Sequence, residues 1–385
     1  MFKPVVPYSD PWNQPFYQRF SMFMRCRVRI AYFYEAANNS TFRYRAYNMA
    51  QVLNEQPEAG VSASYFYLSD YAHFDDIANN ADMLVVCRSR YNAQLSHLVA
   101  KFRARGKRIL FDVDDLVFDT RYVRTMVSTL GLNTYDNAVW DDWFASTSRL
   151  GATLQLCDGA ITTNPFLAAQ ITASSGLEAR VVPNFLNREQ MALSDQLYGE
   201  KVQRQFAAPK RITLGYFSGS PSHRLDYAIA ESALADIMAS DDRVDLLVVG
   251  YIDPTGELAQ WAHRVHKVPF QDYVNLQAVI ASVDFNLMPL QSNVFTDCKS
   301  ELKFFDAAVV GTLSIASPSF TYRGVIDHGT NGYLAQAHEW TTVIRQAIAA
   351  MPRYGEMAET ARQLVDERYT WTTQRQTILR ALDVS

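Results

Sequence analysis

Two successive strand–helix alternations, separated by a polar stretch without strands, predict an α/β protein of two doubly wound sheets facing a cleft. The predicted strands are short and apolar at nearly every position, as in parallel sheets covered by helices on both faces. A length of 385 residues supports the division, because one hydrophobic core rarely serves so long a chain.

In the first alternation, residues 1–24 are rich in Pro and aromatic side chains and show no period, so they are expected to form an irregular arm packed on their own domain. Residues 25–34 (RCRVRIAYFY) alternate and then turn wholly apolar, as a strand entering a sheet does. A small polar loop leads into a helix over 42–53, whose first turn carries Arg43 and Arg45, there to meet a polyanion or solvent. Further strands are predicted over 64–68, 83–86, 108–111, 154–163 and 180–183, with helices over 75–81, 91–104 and 165–174. The strand in RGKRILFDVDDLVFDT ends in an acidic tip of Asp112, Asp114, Asp115 and Asp119. Acids this close can hold Mg²⁺, supply a general base, or simply cap the next helix. "Apolar strand, then Asp-x-Asp" is also similar to the first motif of haloacid dehalogenase-type phosphatases, with Asp112 and Asp114 in the two acidic places.

Residues 188–210 are polar and strand-free and are taken as the linker between domains over 1–187 and 211–368, leaving 369–385 as a C-terminal segment. The second alternation has strands over 211–217, 244–250, 265–269, 283–290 and 313–316. Its helices are predicted over 227–239, 257–264, 276–282, 299–310, 339–351 and 354–368. The loop SGSPSH (218–223) follows a strand and precedes a helix, and its small residues let backbone N–H groups approach a phosphate. It has neither the Gly-Lys-Ser/Thr ending of a P-loop nor G-x-G-x-x-G. In CKSELKFFDAAVV (298–310) Leu302, Phe305 and Val309 form a buried stripe, and Lys299, Lys303 and Asp306 recur on a neighbouring face. Two cations and a carboxylate directly after a strand lie where open α/β sheets bind ligands. The plainer reading, a surface pair of Lys303 with Asp306, is worth only about 0.2–0.5 kcal/mol.

Composition excludes several classes. A net charge of −4 gives no global attraction to nucleic acid or an anionic membrane. Cys26, Cys87, Cys157 and Cys298 lie far apart, which argues against a zinc site or a disulfide framework and fits a reducing compartment. No run of about 18 apolar residues predicts a membrane span, and the N-terminus lacks the pattern of a secretion signal. His223, His263, His266 and His328 are scattered without metal-helix spacing, and no metal is expected.

Several segments, in order, resemble a retaining glycosyltransferase of family 4. They are VVPNFLN (181–187), LLVVGY (246–251), VPF with VDFNLMPL (268–290), KFFDAAVVGTLSIAS (303–317), YRGVIDHGTNGYLA (322–335) and ERYTW (367–371). The resemblance implies the GT-B fold, two Rossmann-like domains facing a cleft, with the C-terminal helix crossing back to the first domain. It also implies sugar transfer, with retention, from a nucleotide-diphosphate sugar on the second domain to a glycan or lipid-linked acceptor on the first. The nucleotide-sugar is then a co-substrate, and no cofactor is expected. NNSTFRYRAYN (38–48) and FDVDDLVFD (111–119) look like the subgroup acting on surface polysaccharide. That implies a cytoplasmic chain, with peripheral contact at the inner membrane face left open.

By this resemblance Asp306 stands at the second glutamate of the family's Glu-seven-residues-Glu motif, the one that holds the ribose, and Cys298 at the first. Lys299 and Lys303 replace the diphosphate-binding cations. Ser218, Gly219, Ser220 and His223 lie at the phosphates, and Glu301 joins Asp306 on the nucleotide side. Asp114 or Asp115 orients the acceptor hydroxyl. Two rivals remain: a phosphatase centred on Asp112 and Asp114, and a non-catalytic nucleotide- or glycan-binding scaffold, suggested by Cys298.

Overall fold

The computed structural model describes residues 5–207, 210–219, 223–250 and 256–384. The first domain is built on β1 (Val28–Tyr34), β2 (Val61–Tyr67), β3 (Met83–Cys87), β4 (Arg108–Val113), β5 (Gly159–Thr162) and β6 (Ala179–Val181). They pair in the order β2-β1-β3-β4-β5-β6, all parallel. The second contains β7 (Ile212–Phe217), β8 (Val244–Val249), β9 (Val265–Val268), β10 (Phe285–Met288), β11 (Leu313–Ala316) and β12 (Tyr333–Leu334). Their order is β12-β11-β10-β7-β8-β9, again all parallel. β3 and β4 are buried almost throughout, because helices cover both faces of their sheet. Strand order reverses direction between β1 and β3 in one sheet and between β7 and β10 in the other. Loops leaving those neighbouring strands diverge and open a crevice at the strand ends.

Several elements depart from the sequence reading. The stretch after Asn187 is a helix, Arg188–Gln203, because Asn187 accepts from the Gln190 N–H and Gln190 reaches back to complete a capping box. Helices Val123–Thr129 and Asn137–Gln155 fill a region where no element was expected. The second takes over part of the strand predicted over 154–163: Leu150 and Leu154 belong to its buried stripe, and only Gly159–Thr162 is extended. The helix predicted over 299–310 begins at Leu302, because Asn293 caps a short separate helix, Val294–Asp297, that ends at Cys298.

Each end of the described chain crosses to the opposite domain. The N-terminal segment does not pack only on its own domain. The Val5 and Val6 amides both donate to Asn275 Oδ1, at 2.8 and 3.0 Å, and Trp12 stacks on Tyr273 at 5.9 Å. Phe16–Phe23 is helical. The last helix, Arg375–Leu382, returns to the first domain: Arg375 donates to the carbonyls of Val52 and Leu53, and Asp383 pairs with Arg108 and Arg180. The resemblance implied this return.

Candidate active site

A cleft of about 800 Å³ lies between the carboxyl ends of the two sheets. From the first domain it is lined by Thr41 and Arg43 after β1, Arg88 after β3, and Asp114 and Asp115 after β4. From the second come Ser218, Gly219 and His223 after β7, together with Lys299, Lys303 and Asp306. The cleft therefore brings together most residues singled out from sequence; Ser220 lies outside the described residues.

The β7 loop is held close to β8. Ser218 N donates to the Val249 carbonyl at 3.1 Å, and a Cβ at position 250 would sit 2.1 Å from Ser218 O. Gly250 has φ +95°, so this approach requires glycine on both counts. His223 Nδ1 lies 3.2 Å from Asp226 Oδ2. Burial pushes the His223 pKa down, against the pull of Asp226. Burial also pushes the Asp226 carboxyl up, but hydrogen bonds from His223 and Gln291 outweigh it and hold it below the usual range.

Lys299 sits in the turn before the helix Leu302–Ala308, and Lys303 sits in its first turn, so the two cations do not share a helical face as the spacing suggested. Neither ammonium has a hydrogen-bond or ion-pair partner among the described residues. Lys303 Nζ lies 5.4 Å from the Tyr216 ring and Lys299 Nζ lies 4.7 Å from the Phe295 ring. Burial lowers the Lys303 pKa to about 8, with Asp226 opposing and Lys299 assisting. An aromatic face offsets little of the cost of desolvating an ammonium. Two such cations in one cleft favour a multivalent anion.

Asp306 does not form a surface pair with Lys303. It is 6% exposed, and its Oδ1 accepts from Gln190 and Gln277 at 3.4 Å each. Burial raises its pKa to about 6, with Arg43 the leading opposing influence. Arg43 is itself buried, sandwiched between the rings of Tyr44 and Tyr273 at 3.9 and 4.3 Å, and donates to Gln190 Oε1 at 2.8 Å. It lies in a π-helical turn, Arg43–Tyr47, a local irregularity common at functional sites. Glu301, expected beside the nucleotide, is buried outside the cleft lining, one residue before the helix begins, and its Oε2 has no hydrogen-bond partner among the described residues. Cys298 packs in the apolar core of the first domain, and its carbonyl accepts from Asn164 Nδ2 at 2.8 Å.

The acidic tip divides into separate roles. Asp112 forms a two-point pair with Arg45, at 2.6 and 3.0 Å, and neither side chain reaches solvent. Arg45 therefore meets neither solvent nor a polyanion, and Asp112 cannot attack a phosphate, which removes the phosphatase reading. Asp119 caps the turn Thr120–Tyr122 by accepting from the Arg121 N–H. Only Asp114 and Asp115 face the cleft, and both accept from Arg88 Nη1 at 2.9 and 2.8 Å. Thr41 adds a hydrogen bond to Asp114 at 2.8 Å. Burial alone would push Asp115 up, but Lys299 and Arg88 hold it below the usual carboxylate range. Arg88 has φ +33°, uncommon for a non-glycine residue and typical of strained functional positions. Sequence reasoning missed it, because a lone Arg after a strand belongs to no motif. Among the described residues, no group of three His, Cys, Asp or Glu side chains is placed to hold a metal ion.

Residues 209–351 match the family model described as Glycosyl transferases group 1. The second domain is a group 1 glycosyltransferase domain. No curated protein sequence matches the chain. Among solved structures, the chain is similar to HepE of Anabaena in complex with UDP-glucose, with a TM-score of 0.58 at 14% identity over 92% of this chain and 99% of that one. It is similar to sucrose-phosphate synthase of Thermosynechococcus elongatus, with a TM-score of 0.56 at 14% identity over 92% and 97%. It is also similar to WaaG, a glycosyltransferase involved in lipopolysaccharide biosynthesis, with a TM-score of 0.56 at 12% identity over 91% and 99%. At such identities the structural likeness establishes the two-domain GT-B fold. Among the described residues, the chain has no helix long and apolar enough to cross a membrane.

Proposed function

We propose that this glycosyltransferase moves a sugar, with retention of anomeric configuration, from a nucleotide-diphosphate sugar to a glycan or lipid-linked acceptor in surface polysaccharide assembly. The observation that carries the reading is the pair of ammoniums, Lys299 and Lys303, at the strand ends of the second domain, neither with an ionic partner among the described residues. Charge develops on the departing diphosphate, and fixed cations there stabilise the transition state more than the ground state. His223, braced by Asp226, adds a ring nitrogen for a phosphate oxygen. Asp306, held by two glutamines, takes the ribose hydroxyls. Asp115, ionised and fixed by Arg88, orients the acceptor hydroxyl from the opposite wall. Retention rests on the family resemblance and on a front-face departure and attack, for which no protein nucleophile is needed. The surface-polysaccharide role rests on the sequence resemblance and on the likeness to WaaG.

UDP and UDP-glucose are the first ligands to try, because the similar HepE binds them. Thermal shift against UDP, GDP, ADP and dTDP identifies the nucleotide, since stabilisation follows affinity. Transfer from the matching donor is then followed in EDTA, and the anomeric coupling of the product is read by NMR. Activity that persists in EDTA with a retained anomer supports the proposal. An inverted product removes the retention, and tight nucleotide binding without turnover favours the scaffold reading.

A further inference from the structure

One wall of the cleft is made by neither the donor residues nor the Arg88 cluster. The helix Asn137–Gln155 buries Thr147, Leu150 and Leu154 against the first-domain core. Its stripe continues one and two turns earlier as Trp143 and Trp140, which are only half-covered. Trp143 lines the cleft beside Leu130 and Leu132, and its indole N–H has no hydrogen-bond partner among the described residues. Trp140 and Phe144, 6.4 Å apart between ring centres, carry the aromatic surface outward from that point, and Phe144 is 45% exposed.

The corner is fixed against the second domain. Gln291 Nε2 donates to the Thr129 carbonyl at 2.8 Å and Asn293 Nδ2 donates to Thr129 Oγ1 at 3.0 Å. Trp143 is therefore held on the first-domain side of the cleft, the side assigned to the acceptor.

We propose that Trp143, backed by Leu130 and Leu132, stacks on the sugar ring of the acceptor, and that Trp140 and Phe144 extend the track along a neutral glycan chain. The inference rests on the reading of the cleft as a sugar-transfer site and adds to it the class of acceptor. Aromatic faces pack against the C–H face of a pyranose, while an indole N–H can bond a ring hydroxyl. Charge decides between a glycan and a lipid surface. Asp141 is exposed on the same helix beside Trp140 and Phe144 and forms no ion pair among the described residues, so a carboxylate borders the outer track and disfavours anionic headgroups over uncharged sugars.

The test uses the full chain, short neutral gluco-, manno- and galacto-oligosaccharides as probes, and intrinsic tryptophan fluorescence as the readout. Saturable quenching by at least one series is expected. Trp143→Ala should weaken that binding about tenfold, as the loss of one stacked ring would, and Trp143→Phe should restore most of it. Stabilisation by the nucleotide should be unchanged in both variants, which separates a lost platform from a lost fold. Unaltered oligosaccharide binding in Trp143→Ala overturns the proposal. So does the absence of binding by every series, or a binding preference for phosphatidylglycerol vesicles that disappears in Trp143→Ala. If no nucleotide stabilises the wild-type protein, the donor reading fails by itself, and the oligosaccharide arm still judges the platform.

Discussion

One guanidinium nitrogen of Arg88 bridges Asp114 and Asp115, at 2.9 and 2.8 Å. Adjacent carboxylates repel each other, and the bridge offsets that repulsion and holds both aimed at the cleft. Arg88→Met should leave that repulsion uncompensated and raise the Asp115 pKa toward ordinary values. Because Arg88 and both acids are partly exposed, the expected loss of stability is modest, about 1–2 kcal/mol in urea unfolding. The acceptor KM should rise while nucleotide binding holds. An unchanged acceptor KM would remove Asp115 from its proposed role.

Lys303→Ala should lower kcat about 100-fold or more, in line with losing one fixed charge at a developing anion. Its melting temperature should not fall, because the ammonium is desolvated and has no ion-pair partner among the described residues. Wild-type turnover in this variant would sink the assignment of the cleft as a diphosphate site.

The same lysine sets two pH dependences of opposite sign. In the folded protein its pKa is about 8, whereas an unfolded lysine keeps its proton to above pH 10. Between those values the unfolded chain binds more protons, so this group makes stability rise with pH. Nucleotide affinity should fall over the same range as the cation is lost. Calorimetric titration with the nucleotide from pH 7 to 9.5, set beside thermal melts, reads both trends. Lys303→Met should abolish both, and identical profiles in that variant would place the titration elsewhere.

Asp112→Asn strands the Arg45 charge in a fully buried site. A loss of about 3–5 kcal/mol is expected from breaking a buried pair on one side. The wild-type protein should release no phosphate from an aryl phosphate. Release that is abolished in Asp112→Asn would restore the phosphatase reading that the buried pair excludes.

Much of the fold was legible because parallel strands buried on both faces, such as ILF in β4 and LVV in β8, leave unbroken apolar runs. The cations were legible from their position after a strand, although their geometry was not. Asn293 starts one short helix that ends at Cys298, and the next begins only at Leu302, which takes Lys299 off the helix and leaves Glu301 outside the cleft. The long helix Asn137–Gln155 went unseen because its exposed half mixes Trp143 and Phe144 with Asp141 and Asp142, which blurs the period. Arg88 carried no signal, since its importance comes from three partners distant in sequence. Asp112 misled for the complementary reason. Its place in an acidic run looks chemical, yet Arg45, far earlier in the chain, claims it wholly.

The burial of Cys298 has a mechanical corollary. Its side chain is embedded in the core of the first domain, while the carbonyl of the next residue, Lys299, accepts from Thr321 Oγ1 of the second domain at 2.9 Å. Lys303 belongs to the second domain, its carbonyl accepting from Asn286 Nδ2 at 3.0 Å. The stretch just before Lys303 is thus fastened to both domains at once. Parting them must either draw Cys298 out of its apolar seat or break the Lys299–Thr321 hydrogen bond, so this seam acts as a rivet beside the candidate site.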